Sequence, residues 1–119
     1  FRPDIVTYDA VIAAMATPAG APRAAQVYRR VVAEGLLSPW KRRRTDEFDM
    51  HGMPEHLAAV AVREAVADVL ARPRTLDIVV GRGKHSTIEV VRPVVESVLG
   101  SEFELPFRDH PRDPAVVRI

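Results

Sequence analysis

Two short runs of residues hold side chains of the types that move protons and bind phosphate. The first is Asp49-Met50-His51-Gly52, in which a carboxylate and an imidazole stand two positions apart. On an extended strand that spacing sends both side chains to one face. A carboxylate beside an imidazole can orient a water or take its proton, the usual acid–base pairing. Asp-x-His at a strand end is also a common hydrogen-bonded structural pair, and the residues alone leave both readings open. The second run is Gly81-Arg82-Gly83-Lys84-His85. Gly81 and Gly83 let backbone N–H groups approach a phosphate without obstruction. Arg82 offers a planar donor fork for phosphate and for charge developing in a transition state, and Lys84 and His85 add to it. Gly-x-Gly after a strand also serves as a plain turn. A third run, Lys41-Arg42-Arg43-Arg44, reads equally as a solvated linker and as a phosphate-contacting patch.

These runs need elements to bring them together. Residues 47–51 read as a short strand closed by Gly52. Pro54 suits the first position of a helix running to about residue 70, with Ala58, Val62, Val66 and Val69 on its buried face. Arg72-Pro73-Arg74 stops that helix, and residues 76–80 form a β-branched, buried strand ending at Gly81. Strand, helix, strand in this order predicts two parallel strands. Their outgoing loops, which contain the first two runs, then leave from the same edge of the sheet, where ligands of open α/β sheets bind. A further helix is predicted from near Val91, so that Pro93 falls in its first turn, and it ends at Gly100. Residues 81–89 then form a long loop. Phe103, Leu105 and Phe107 alternate as a strand, and residues 115–119 make the last one.

Before residue 45 the pattern is purely helical. Residues 6–15 form an amphipathic helix with Tyr8, Val11, Ile12 and Met15 on one face; Pro18, Gly20 and Pro22 break the chain. A second helix spans about residues 23–34, with Ala24, Val27, Tyr28, Val31 and Val32 on its apolar face and Gly35 as its terminator. Two short helices cannot bury both their faces alone, so this hairpin expects neighbours.

Composition narrows the classes. The chain has 119 residues, 47% apolar and 28% charged, which is globular rather than disordered. No run approaches the roughly 20 apolar residues of a membrane span. It has no cysteine, which excludes disulfides, thiolate nucleophiles and Cys-based zinc sites and fits a reducing, intracellular setting. Among its four histidines no pair has the i, i+4 spacing of a helical metal site. The first residue is Phe1, so we expect a piece of a longer chain, with any targeting segment outside it. The net charge of +1 is uneven. Residues 1–44 hold eight Lys/Arg against three Asp/Glu, a net of +5, while residues 45–119 hold nine against thirteen, a net of −4. Any contact with a phosphate backbone must therefore rest on local positive charge. His56 on a helix face and His110 in a Pro-rich loop read as surface residues. Trp40 reads as a cap on the hairpin core rather than a base-stacking platform.

The hairpin carries a resemblance. Val6-Thr7-Tyr8-Asp9-Ala10-Val11-Ile12, followed by Ala24-Ala25-Gln26-Val27-Tyr28-Arg29-Arg30-Val31-Val32-Ala33-Glu34-Gly35-Leu36, looks like one pentatricopeptide repeat. The family's base-selecting positions would fall on Ala10 and Trp40, neither of which is the usual polar residue, so this copy is expected to cap an array of preceding repeats rather than read a base.

The second resemblance is to the Smr (small MutS-related) domain. Phe48-Asp49-Met50-His51-Gly52 is similar to its opening Leu-Asp-x-His-Gly signature, and Val80-Gly81-Arg82-Gly83-Lys84-His85-Ser86 to its second. The form ending in Gly-Lys-His-Ser is typical of Smr domains that follow pentatricopeptide repeats in organellar proteins. The resemblance divides the chain into a repeat-like helix pair and basic linker, 1–44, and an Smr domain, 45–119. It implies an α/β, two-layer sandwich of β-α-β-α-β-β order like the C-terminal domain of bacterial translation initiation factor 3. It further implies binding of single-stranded RNA, or DNA, and phosphodiester cleavage, in a chloroplast or mitochondrion. By that resemblance Asp49 and His51 take the first-signature roles, and Gly81, Arg82, Gly83 and Lys84 the second; Mg²⁺ is the metal to test. Phe48 and Met50 replace the usual leucines, and Val80 stands where many stand-alone Smr nucleases have histidine. Three readings follow: an endonuclease, a non-catalytic nucleic-acid-binding module, and a protein-docking domain that caps a repeat array.

Overall fold

The computed structural model describes residues 4–15, 17–40, 46–81 and 90–119. Among them are four α-helices and one mixed four-stranded sheet. Strand β1 (Glu47–Asp49) lies parallel to β2 (Asp77–Val79), joined by helix α3 (Glu55–Ala71). Helix α4 (Val91–Ser97) then leads to β3 (Arg108–His110) and β4 (Asp113–Arg118). The last strand inserts between β2 and β3, antiparallel to both, so the order across the sheet is β1-β2-β4-β3. Alternation assigns the faces: Phe48, Ile78 and Val117 are directly paired and buried in the core. Their neighbours Glu47, Asp49, Asp77, Val79 and Arg118 point to the opposite, open face.

Helix α3 is buried along Leu57, Ala58, Ala61, Val62, Ala65 and Val66, while Val69 is only partly covered. Helix α4 begins at Val91, as Pro93 requires, because a first-turn residue needs no N–H for the helix ladder. Its end differs from the expectation. The helix does not stop at Gly100; Val98–Glu102 form a π-turn, closed by the Phe103 N–H on the Val98 carbonyl at 3.2 Å. Residues 103–107 are consequently not a strand. The Leu105 N–H is used by the Leu99 carbonyl at 2.9 Å, and Glu104 has a φ of +52°. Phe103 and Leu105 pack onto the core from this winding loop, so their spacing reflects coverage rather than an extended backbone. The sheet resumes only at Arg108, and β4 starts two residues earlier than expected.

Helix α1 (Ile5–Ala14) is capped by Asp4, whose Oδ1 accepts from the Thr7 N–H at 2.8 Å. Helix α2 (Ala21–Ala33) follows a 3₁₀ turn at Pro18–Gly20 and ends in a Schellman motif. There the Gly35 and Leu36 N–H groups reach back to the Val32 and Val31 carbonyls, with Gly35 at φ +77°. Tyr8 and Ile12 are buried, but Val11, expected beside them, is exposed.

The hairpin and the α/β part share one core, in which Ile12, Ala24 and Tyr28 join the cluster around α3. Asp9 of α1 acts as a cap for α3 from outside it, accepting from the Leu57 N–H at 2.8 Å and lying 3.3 Å from His56 Nδ1. Arg29 of α2 pairs with Glu64 of α3 at 3.1 Å. The chain leaving α2 then covers the free edge of β1. The Pro39 carbonyl accepts from the Asp49 N–H at 2.7 Å, and Trp40 pairs with Phe48 across an antiparallel bridge. The two rings meet edge to face at 4.7 Å, with the Arg74 guanidinium over Trp40 at 5.6 Å. Trp40 thus caps the core, as expected, and also blocks an edge strand. The segment 41–45, where the predicted boundary falls, lies outside the described residues.

Candidate functional site

Asp49 is the last residue of β1, and the backbone pairing continues one step further through the Met50 N–H to the Val79 carbonyl at 2.9 Å. The chain then turns. Met50 is fully buried and anchors the turn in the core, while its carbonyl accepts from the Met53 N–H at 3.2 Å. Across this turn Asp49 Oδ1 accepts from the His51 backbone N–H at 3.1 Å and lies 2.6 Å from His51 Nδ1. The contact is therefore an Asx-type turn folded onto itself, tighter than two side chains sharing a strand face. The Asp49 side chain is 9% exposed and that of His51 67%. An ionised carboxylate only accepts, so the Nδ1 that faces it carries a proton, and Nε2 is the ring nitrogen left to face outward. That nitrogen has no hydrogen bond among the described residues.

The end of β2 meets this turn from the side. The Val80 and Gly81 N–H groups both reach the Ala115 carbonyl of β4, at 2.8 and 3.3 Å. Gly81 has a φ of +95°, and a Cβ built there would lie 3.6 Å from the His51 Cβ. A side chain at 81 would thus be strained in its backbone and would lie in van der Waals contact with the His51 Cβ. The parallel pairing brings Asp49, His51 and Gly81 together at the carboxyl edge of the sheet, the edge expected from their order. Arg82, Gly83, Lys84 and His85, together with Lys41, Arg42, Arg43 and Arg44, lie outside the described residues. Val80 is 4% exposed and belongs to the core cluster.

Some residues with chemistry escaped the sequence reading. On the open face the register aligns Glu47, Asp77, Arg118 and Arg108 in one row across all four strands. Arg118 grips Asp77 with two bonds, at 2.7 and 3.1 Å, and that carboxylate raises the guanidinium above its ordinary value. The period-2 pattern of residues 113–118 could have placed Arg118 on a face, but its partner depends on strand order. His110 ends β3 rather than sitting in a loop; its Nδ1 accepts from the Arg112 N–H at 3.0 Å. His56, read as a surface residue, is 40% exposed and stands at the seam with Asp9. Among the described residues no group of three His, Asp or Glu is placed to hold a metal ion, and no helix is long and apolar enough to cross a membrane. Comparisons with protein-family models, with curated proteins and with solved structures find no match.

Proposed function

We propose that the chain is the Smr-like, nucleic-acid-binding end of a pentatricopeptide-repeat protein, acting on single-stranded RNA as an endonuclease. The observation that carries this reading is the Asp49–His51 pair. A nearly buried carboxylate holds an exposed imidazole by Nδ1, at the ligand-binding edge of a parallel strand pair and against a glycine that opens the second loop. In this arrangement His51 Nε2 takes a proton from the attacking oxygen, either a water or a ribose 2′-hydroxyl. Asp49 keeps the ring in the tautomer that can do so and steadies the imidazolium that forms. Arg82 is assigned to the charge on the phosphorus-centred transition state, and Lys84, His85 and Lys41–Arg44 to phosphates. The fold class of the reading is that of the C-terminal domain of translation initiation factor 3, and the setting organellar RNA processing.

One observation favours a second reading, binding without cleavage. Val80 is a buried core residue at the position where many stand-alone Smr nucleases have histidine, so this chain lacks that imidazole. Labelled single-stranded RNA and DNA, incubated with the chain with and without Mg²⁺, separate the readings. RNA cleavage supports the nuclease, and retardation without cleavage supports the binding module. No retardation of either nucleic acid overturns both and leaves a protein-docking domain.

A further inference from the structure

At the end of the sheet remote from Asp49, β3 and β4 place two arginines directly opposite one another, Arg108 and Arg118. Like charges in directly opposed positions weaken a sheet. Arg118 is neutralised by Asp77, but Arg108 is exposed and has no carboxylate partner among the described residues. Beside it Phe107 is 38% exposed, so part of its ring is open to solvent. Its Cε1 edge lies next to Gly100, where the π-turn leaves a position without a side chain; a Cβ there would be 3.8 Å away. Phe107, Arg108 and Arg118, with Thr75, Pro106 and Ile119, line a shallow, open cavity of about 330 Å³.

We propose that this cavity is a nucleotide subsite, in which Arg108 takes a phosphate and Phe107 stacks on the base. The pairing of an aromatic face with an unneutralised arginine is what a single-stranded nucleic acid needs at each step. With Asp77 already on Arg118, Arg108 is the guanidinium of this row left to take an anion. The inference rests on the nucleic-acid reading and extends it. β3 lies three strands from β1, about 14 Å at about 4.8 Å per strand. The cavity is also offset along the strands from the Asp49–His51 turn, so a single strand of several nucleotides must cross the sheet diagonally to reach both.

The test measures the affinity of the full chain for a short labelled single-stranded RNA at several salt concentrations. It compares the wild type with Phe107→Ala and Arg108→Gln. Phe107→Ala is expected to weaken binding about 5- to 100-fold, the loss of one stacked base. Arg108→Gln is expected to lower the log–log salt slope by about 0.7, the loss of one phosphate contact on a single strand. Because Arg108 has no carboxylate partner among the described residues, the melting temperature of this variant should equal that of the wild type, which an arginine with a structural role would not allow. Amide shifts at Phe107 and Arg108 on adding uridine monophosphate indicate that a free nucleotide also enters; shifts with RNA alone restrict the site to a strand, and both support the subsite. Equal shifts with inorganic phosphate alone overturn the stacking role. Wild-type affinity in both variants overturns the subsite and leaves the nucleic-acid reading standing, and so does a change in self-association without a change in RNA binding. A wild type that binds no RNA overturns both.

Discussion

At the residue scale the proposed chemistry rests on Asp49, whose carboxylate holds His51 by Nδ1 and leaves Nε2 outward. Replacing Asp49 with Asn keeps the shape and an oxygen that can still accept from the His51 backbone N–H and Nδ1, but removes the charge that steadies the imidazolium formed on proton transfer. Cleavage should fall by about 10²–10⁴-fold, while affinity for RNA holds or rises slightly as repulsion with phosphate is lost. Single-turnover rates and dissociation constants for the two proteins check this; full cleavage by a folded Asp49→Asn protein removes Asp49 from the mechanism. Gly81 makes a separate prediction. At φ +95° any Cβ is strained, so Gly81→Ala should cost about 1–2 kcal/mol in denaturant unfolding. With its new methyl 3.6 Å from the His51 Cβ, it should also shift the His51 ring resonances. A stability equal to that of the wild type would mean that the backbone at 81 adopts another conformation.

Among the elements, α3 ends in a knot of charges that ties it to the sheet edge. Arg74 bonds the Asp68 carboxylate at 2.6 Å, donates to the Asp68 and Arg72 carbonyls, and lies over Trp40, which covers β1. The Arg74 bond, outweighing the opposing effect of burial, lowers the Asp68 carboxyl below its ordinary value. A depressed folded-state value contributes stability that is present above the unfolded-state value, near 3.8, and disappears as the pH falls through the folded-state one. Asp68→Asn should therefore lower stability at neutral pH, and the difference from the wild type should vanish in acid below the ordinary carboxylate range. Because the pair is partly exposed, its size is at most about 1 kcal/mol. Urea unfolding across that pH range is the measurement, and a pH-independent difference would assign the effect to packing on Trp40 instead.

At the scale of the whole molecule, the hairpin is fastened to α3 by a shared core and by Asp9, which caps α3 from another helix. Asp9→Ala leaves the Leu57 N–H without its acceptor and should cost about 1 kcal/mol. Cutting the chain with trypsin within Lys41–Arg44 should leave two pieces that co-elute on size exclusion, because Ile12, Ala24 and Tyr28 stay buried with α3. Tyr28 reports on the same seam. Its burial, and secondarily the Glu64 charge, push its hydroxyl well above the ordinary phenol range. Alkaline titration should show it ionising late in the intact protein; normal titration together with separated pieces would show that the hairpin does not depend on α3.

The local pattern determined much of this protein before any tertiary contact. Helical spacing marked α1, α2 and α3, and glycine after Glu34 marked the end of α2, because backbone sterics and amphipathicity act within one or two turns. Pro93 set the start of α4 through its missing N–H. The order strand, helix, strand was enough to place Asp49, His51 and Gly81 at one edge. Tertiary structure decided what depends on partners distant in sequence. The apolar alternation of Phe103, Leu105 and Phe107 looked like a strand, but the carbonyl of Leu99 and the core beneath took that segment as a loop. Strand order alone seated Arg118 on Asp77 and set Arg108 opposite it. Asp9 became a cap for α3, and Val11 stayed exposed, only because the hairpin docks by its Tyr8–Ile12 side. Such contacts join residues dozens of positions apart, and a one-dimensional pattern has no period that records them.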